Sequence, residues 1–305
     1  MREEWKGIIQ KKDDGSEKIN YNDETFPAYI NDGYICATSS WGNVPHFHAD
    51  IEFITVYKGH MGYNINGETV LLNSGDTLMV NSEQIHYSFS NQDDKCHYII
   101  CILHPKLLCS SVSVEEKYVN PVISNSRLPY LIFKSQNEVS KEVYDIAFNM
   151  LQNVNNHFKI SKEYFNLWNI ILENCIEDVE NEVDFHSNPS FICMKKMITY
   201  CHNNYDKNIR LKDIADYAGV SNTYCNHLFH KYINCTPIEG LTRIRLEKAA
   251  GLLLDSELSI NEIAEKTGFS GASYFSETFK RIYGKSPKKY QKDIITERKR
   301  TLYTG

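Results

Sequence analysis

Between Tyr34 and Leu103 the apolar positions come in short runs broken by turn residues. Ile51–Lys58, Leu78–Asn81 and Tyr98–Leu103 read as strands, and Gly62-Tyr-Asn-Ile-Asn-Gly67 as a strand entering a tight Asn-Gly hairpin. Asn73-Ser-Gly-Asp76 is another turn. Many short strands at this spacing predict an antiparallel barrel or jelly roll rather than a parallel sheet. The period then changes. Val139, Val143, Ile146, Ala147, Met150, Leu151 and Val154 form a helical stripe over residues 138–158. A second stripe, from Tyr164, Phe165, Leu167 and Trp168 to Ile171, Leu172, Cys175 and Ile176, follows Ser161, which is expected to be its N-cap. This stripe covers more of the helix than packing on one side needs. It serves either to close the barrel domain or to pair two copies of the chain. Residues 177–187 are acidic and polar and Pro189 follows, which marks a linker.

Beyond the linker one pattern occurs twice. From Ile209, Ala215 supplies a small residue where two helices cross, and Gly219 stands where a turn needs positive φ. Val220 is expected to plug the core, Ser221 to cap the next helix, and Leu228 and Phe229 to anchor it. From Ile260, Ala264, Gly268 and Phe269 repeat Ala215, Gly219 and Val220 at an offset of 49. Phe279 then falls one residue later than Phe229 predicts, so the second unit holds an extra residue before its last helix. Between the copies, Ile238, Leu241, Ile244, Leu246, Ala249, Ala250 and Leu253 predict one long helix over 237–254, with Pro237 in its first turn. These are two helix-turn-helix units on a common rod.

Composition sharpens this division. The 305 residues carry a formal charge of −6, which taken whole argues against a polyanionic partner. Residues 188–305, however, hold 19 Lys+Arg against 12 Asp+Glu, a charge of +7, which leaves −13 on residues 1–187. Only the back half is suited to nucleic acid. No apolar run reaches the ~20 residues of a membrane helix, and Met1-Arg-Glu-Glu-Trp-Lys lacks the apolar core of a signal peptide. Nine scattered cysteines without a C-x-x-C pair speak against a disulfide framework or zinc knuckle. A cytoplasmic protein with reduced thiols and no membrane partner is expected.

The front half carries its own chemistry. His46 and His48 share a face if they lie on a strand, Glu52 keeps that parity, and His86 follows the Gly75-Asp76 turn. His46-x-His48-x3-Glu52-x6-Gly59 resembles the first motif of the cupin fold. The second motif is only partly present: Gly75 and His86 fit, but Asn81 stands for the usual Pro and Glu83 for the usual Gly. In enzymatic cupins the resemblance implies a divalent metal on three His and one Glu, suited to Fe, Mn, Ni or Zn. Many cupin-bearing regulators instead keep the skeleton as a metal-free polar pocket, and that is the expectation: no cofactor required, a small polar effector bound. His60, His97 and His104 are expected to be ordinary surface or strand residues. Tyr34, Trp41, Tyr57, Tyr63 and Tyr87 cluster around the strands, and rings with His and Glu partners suit a sugar. His46, His48, Glu52, His86, Trp41 and Tyr57 are the candidate effector residues.

The double unit, with Gly-Phe-Ser…Ser-Tyr-Phe-Ser…Phe-Lys-Arg…Tyr-Gly-Lys-Ser-Pro-Lys-Lys-Tyr over 268–290, resembles the arabinose-operon type (AraC/XylS) of transcription regulators. A cupin-like front half agrees, since members commonly carry such a barrel for effector binding and dimerisation. The resemblance implies base contacts from Asn222, Thr223, Asn226 and His227, with His230 and Lys231 nearer phosphate. Asn pairs with adenine and Thr touches a thymine methyl. The matching positions of the second unit are Gly271, Ala272, Ser273 and Glu277. Glu277 departs from the Arg frequent in the family, so the first unit is expected to carry most base readout. Lys280, Arg281, Lys285, Lys288 and Lys289 would then grip the backbone.

The expected architecture is therefore a two-domain α+β chain. A cupin-like antiparallel barrel spans 1–135, a helical pair that closes the domain or forms the dimer contact 136–180, a linker 181–189, and an all-α double helix-turn-helix 190–295. The expected function is a sequence-specific DNA-binding regulator responding to a small polar effector, a sugar. Promoter DNA, a second copy and, for an activator, RNA polymerase are its partners. The alternative is a metal-binding cupin enzyme or metal sensor fused to a DNA-binding module. No nucleophile–base spacing and no phosphate-cradling glycine loop stands out, so no enzyme is expected.

Overall fold

The computed structural model describes residues 12–293, apart from 13, 38, 40, 41, 92–94, 175–187 and 256–257. Among these residues eight strands fold into two antiparallel sheets. Strands β1 (Ala28–Ile35), β2 (Ile51–Lys58), β5 (Thr77–Val80), β7 (Cys96–Leu103) and β8 (Tyr130–Phe133) make the larger, in the order β1-β7-β2-β5-β8. The smaller is β4-β3-β6, from β3 (His60–Ile65), β4 (Glu68–Asn73) and β6 (His86–Phe89). Ile54, Val56, Met61, Tyr63, Ile65, Leu72 and Leu78 fill the space between the sheets. The opposite side of the larger sheet packs on α3 (Glu138–Gln152) and α4 (His157–Asn174), with two short turns, α1 (Val112–Val114) and α2 (Asn120–Ile123), at its edge. Strand β2 thus has two buried faces, Ile51 and Phe53 toward the helices, Ile54 and Val56 toward the barrel interior. That is why it reads as an unbroken apolar run. The β3–β4 hairpin turns at Asn66 and Gly67 with φ of +52° and +94°, as a two-residue type I′ turn demands.

Two helical boundaries differ from the sequence reading. The first stripe ends at Gln152, because the Asn153 amide turns back to the carbonyls of Asn149 and Met150. Helix α4 then starts at His157, with the Asn156 side chain accepting from the Lys159 amide at 3.1 Å. Asn156 therefore caps this helix and Ser161 lies a turn inside it. Ile160, Tyr164, Leu167, Trp168, Ile170 and Ile171 are buried, whereas Phe158 is 82% and Phe165 40% exposed on the outer side. Cys175, Ile176 and all of the linker except Asn188 and Pro189 lie outside the described residues.

The C-terminal half contains α5 (Pro189–Asn203), α6 (Leu211–Ala218), α7 (Asn222–Ile233), α8 (Pro237–Asp255), α9 (Ile260–Lys266) and α10 (Ala272–Tyr283). Gly219 and Gly268 take φ of +71° and +75° in equivalent turns. Ser221 caps α7 by accepting from the Tyr224 amide, whereas Gly271 caps α10 without a side chain. Helix α7 starts at Asn222 and α10 at Ala272, one position later relative to its turn glycine, as the extra residue requires. Val220 is half-buried at the rim of its core rather than plugging it. Its amide reaches back to the Ala215 carbonyl, which holds it over the end of α6. Helix α8 gives Leu241 and Ile244 to the first core and Leu246, Ala249, Ala250 and Leu253 to the second. Arg245 adds a polar tie, donating to the carbonyls of Tyr205 and Lys207 at 2.7 Å each. The eight described cysteines are free, and burial pushes the Cys96, Cys225 and Cys235 thiols up to about 11. Among the described residues no helix is long and apolar enough to cross a membrane.

The two turn glycines make a measurable contrast. A Cβ on Gly219 meets nothing within 4 Å, while one on Gly268 would lie 2.3 Å from the Tyr205 carbonyl oxygen and 3.0 Å from the Arg245 guanidinium. Gly219→Ala should cost only the left-handed backbone penalty of about 1–2 kcal/mol. Gly268→Ala should cost clearly more, read as a larger fall in urea midpoint. Equal falls would show that the Tyr205 contact is not felt.

Candidate effector site and nucleic-acid interface

The segment 44–50 is irregular rather than a strand, joined to β6 by a reciprocal pair of amide bonds between His46 and His86, at 3.0 and 2.9 Å. The shared face expected for His46 and His48 arises all the same, because each ring is turned by its own backbone. Nδ1 of His46 bonds the Val44 carbonyl at 2.9 Å, Nδ1 of His48 that of Asp50 at 3.0 Å, and Nδ1 of His86 that of Gln84 at 2.9 Å. A carbonyl only accepts, so each Nδ1 carries a proton; toward the cluster a neutral ring then presents a bare Nε2 and a cationic ring an Nε2–H. All three Nε2 atoms point to one place, and Glu52 reaches the same place from the interior face of β2. One donor atom from each of the four lies within 4.8 Å of the others.

This cluster is deeply enclosed. His48, Glu52 and His86 are 1–2% exposed. Nε2 of His48 and of His86 lie 3.5 and 3.7 Å from Glu52 Oε2, too long for good hydrogen bonds, and both nitrogens lack a hydrogen-bond partner. Tyr63 donates its hydroxyl to Glu52 and lies parallel to the His86 ring at 6.0 Å. Burial opposes the Glu52 charge, yet the two imidazoles hold its carboxyl well below the usual range. Burial likewise opposes the His48 cation, and Glu52 reverses that and raises its pKa. For Tyr63, burial and then the neighbouring carboxylate push the hydroxyl well up.

Of the remaining effector candidates, Tyr57 does not join the cluster. It lies on the opposite face of β2 from Glu52, donates to Asp32 at 2.6 Å and packs against Phe148 of α3. The odd–even rule that places Glu52 inside places Tyr57 outside. Trp41 lies outside the described residues. Tyr87 also faces away, donating to the Ile233 carbonyl of α7 at 3.1 Å. The ring that does reach the site, Tyr63, was legible in principle, since Met61 and Ile65 flank it at strand spacing. Glu17 was not. It sits in a polar stretch far from the motif, yet its carboxylate lies 3.4 Å from His46 Nε2 and its amide donates to the Phe47 carbonyl.

In the C-terminal half, Asn222, Thr223, His227, His230 and Lys231 are exposed on α7. Asn226 is half-buried, and its amide donates to the Asn222 carbonyl one turn back. Gly271, Ser273, Glu277, Lys280 and Arg281 are exposed at α10, and Ala272 is half-buried. Lys285 is ion-paired with Asp293 at 2.7 Å, while Lys288 and Lys289 are exposed.

A barrel of cupin type joined to two helix-turn-helix units on one rod defines a DNA-binding transcriptional regulator. A helix-turn-helix domain family model matches residues 214–293 and a cupin domain model residues 37–103. The chain is 26% identical to the HTH-type transcriptional regulator YdeC of Bacillus subtilis (strain 168), over 82% of this chain and 87% of that one. It is 23% identical to the melibiose operon regulatory protein of Escherichia coli (strain K12), over 85% and 86%. A crystal structure of an apo ToxT variant from Vibrio cholerae strain SCE256 matches 87% of this chain and 97% of that one, at 15% identity and a TM-score of 0.48. In its barrel and its paired helix-turn-helix units the chain resembles regulators of the AraC/XylS family.

The enclosure of Glu52 predicts a stability effect. Tyr63→Phe keeps the ring but removes a donor from a buried carboxylate, and should cost about 1–3 kcal/mol. Urea denaturation should show a lower midpoint at unchanged slope. An unchanged midpoint would mean that the two imidazoles suffice to hold the charge.

Proposed function

We propose that this chain acts in the cytoplasm as a homodimer that binds promoter DNA through both helix-turn-helix units and answers to a small polar effector held in its barrel. The observation that carries this reading is the exposure of the N-terminal turns of α7 and α10 while their other faces are locked to the shared helix α8. Two such helices on one rod suit successive major grooves, about 34 Å apart. Phe158 and Phe165, left on the outer face of α4, support pairing of two copies there. If the protein activates, RNA polymerase is a further partner. The melibiose operon regulator among its relatives supports a sugar as the effector.

Gel shifts of the full chain on its own upstream region, with and without mono- and disaccharides, test this directly. Site-selective, salt-sensitive binding that a sugar alters is expected; binding indifferent to sequence would sink it. Asn222→Ala and Thr223→Ala should each cost about 1–3 kcal/mol on the preferred duplex and relax selectivity. Lys280→Ala and Arg281→Ala should weaken all sequences alike and lower the salt slope by about one each.

A second reading of the barrel is favoured by the convergent Nε2 atoms, two of them buried without a partner. His46, His48, Glu52 and His86 fit a divalent cation, with each Nδ1 held by a backbone carbonyl in the manner that orients imidazole ligands. Bound there, a cation supplies the positive charge that these donor atoms face, and imidazole with carboxylate suits Zn, Fe, Mn or Ni. Elemental analysis of protein prepared without chelator should find close to one equivalent, lost in His48→Ala. Much less than one equivalent, unchanged in the variant, rejects this reading.

A further inference from the structure

The barrel and the first helix-turn-helix unit share one core: Val44, Phe47, Ile85 and Tyr87 pack with residues of α5, α7 and α8. Phe47, Ile85 and Tyr87 alternate along the chain with the cluster residues His46, His48 and His86. The polar contacts follow the same plan, and three of them end on one face of α5, at spacings of four and three residues. The Lys195 ammonium pairs with Glu83 and lies 4.6 Å above the Phe47 ring. The Thr199 hydroxyl donates to the Asp14 carbonyl at 3.2 Å. His202 Nε2 meets the Pro45 carbonyl at 3.2 Å.

Each contact lies a short backbone step from the cluster. Pro45 precedes His46 and Phe47 separates the two histidines. The Glu83 amide donates to the His48 carbonyl at 2.7 Å. The segment Asp14–Glu17 spans the gap: Gly15, at φ +82°, lies so close to Thr199 that a Cβ would fall 1.9 Å from its hydroxyl, while Glu17 reaches His46. Glu83 adds a telling detail. It occupies a left-handed conformation, φ +66°, at the position where cupins usually have Gly. A side chain there costs about 1–2 kcal/mol, and the one present pairs with α5.

We propose that the Lys195–Thr199–His202 face of α5 reads the occupancy of the His46–His48–Glu52–His86 cluster, with Glu17 as the additional donor that joins cluster and helix. This rests on the reading of the cluster as a divalent-cation site. A cation drawing His46 and Glu17 together moves the Asp14–Glu17 segment and the Phe47 ring, and both bear on α5. Differential contact in the filled and empty states is what coupling between two sites requires.

Full-length protein stripped by chelator and titrated with Zn2+ provides the test, by equilibrium dialysis with elemental analysis and by amide hydrogen exchange along α5. One equivalent should bind, and exchange of the amides at 195–202 should change at least about threefold, within the range of local opening equilibria. Lys195→Met should bind Zn2+ at the same stoichiometry but lose that change. Glu17→Gln should weaken Zn2+ binding about tenfold, the lower range for a supporting group at a metal site. Zn2+ bound with α5 exchange unmoved overturns the coupling and leaves the cation reading standing. Absence of Zn2+ binding overturns both. A Lys195→Met protein that still transmits, or a Glu17→Gln protein with undiminished affinity, removes that residue's part.

Discussion

A carboxylate inside a barrel of Ile, Val and Leu must be surrounded by donors, and Glu52 sets that demand here. With 2% of its surface exposed, its charge has to be met by His48, His86 and the Tyr63 hydroxyl. The imidazoles can serve only in one orientation, and their Nδ1–H bonds to Val44, Asp50 and Gln84 carbonyls impose it. Those bonds fix the course of the irregular residues 44–50 and 84–85, which lead into β6. The same segments turn Phe47, Ile85 and Tyr87 outward onto the helices. The polar centre of the barrel and the apolar seam between the two halves are thus two sides of the same short stretches of chain.

Much of this was legible because local rules were in force. The Asn66-Gly67 hairpin, the turn glycines at 219 and 268, the N-cap at Ser221 and the long helix from Pro237 depend on neighbours within a few residues. So does the interior placement of Glu52. Where a reading failed, a competing local bond or the wrong face was responsible. Asn156 outbid Ser161 as a cap, and Tyr57 sits on the face of β2 opposite Glu52. Glu17 was out of reach, since only folding brings its polar segment to His46. Glu83 stands out in the sequence as a departure from the cupin pattern, but its partner, Lys195, lies 112 residues away along the chain.

The two helix-turn-helix units, alike in sequence, sit in unlike surroundings. The first is gripped from behind: the Asn234 amide donates to the Gly67 carbonyl and Tyr87 bonds the end of α7. The second has no such partner among the described contacts with the barrel and rests on α8, with Gly268 close against the Tyr205 carbonyl and the Arg245 guanidinium. Its exposed early positions, Gly271 and Ser273, are also small. Restraint by the barrel and the richer set of polar side chains therefore fall on the same unit.

Helix α8 belongs to both cores, and this makes it a ruler. Neither recognition helix can slide or swivel on its own without opening the packing of Leu241 and Ile244 or of Leu246, Ala249 and Leu253. One base pair inserted between two contact patches rotates one of them by about 34° about the DNA axis, as ~10.5 base pairs per turn implies. A jointed protein could follow that rotation, but a rod cannot. On the proposed role, in which both units bind DNA, the length of one helix sets how far apart, and on which side of the duplex, two short sequence elements must lie to be held at once.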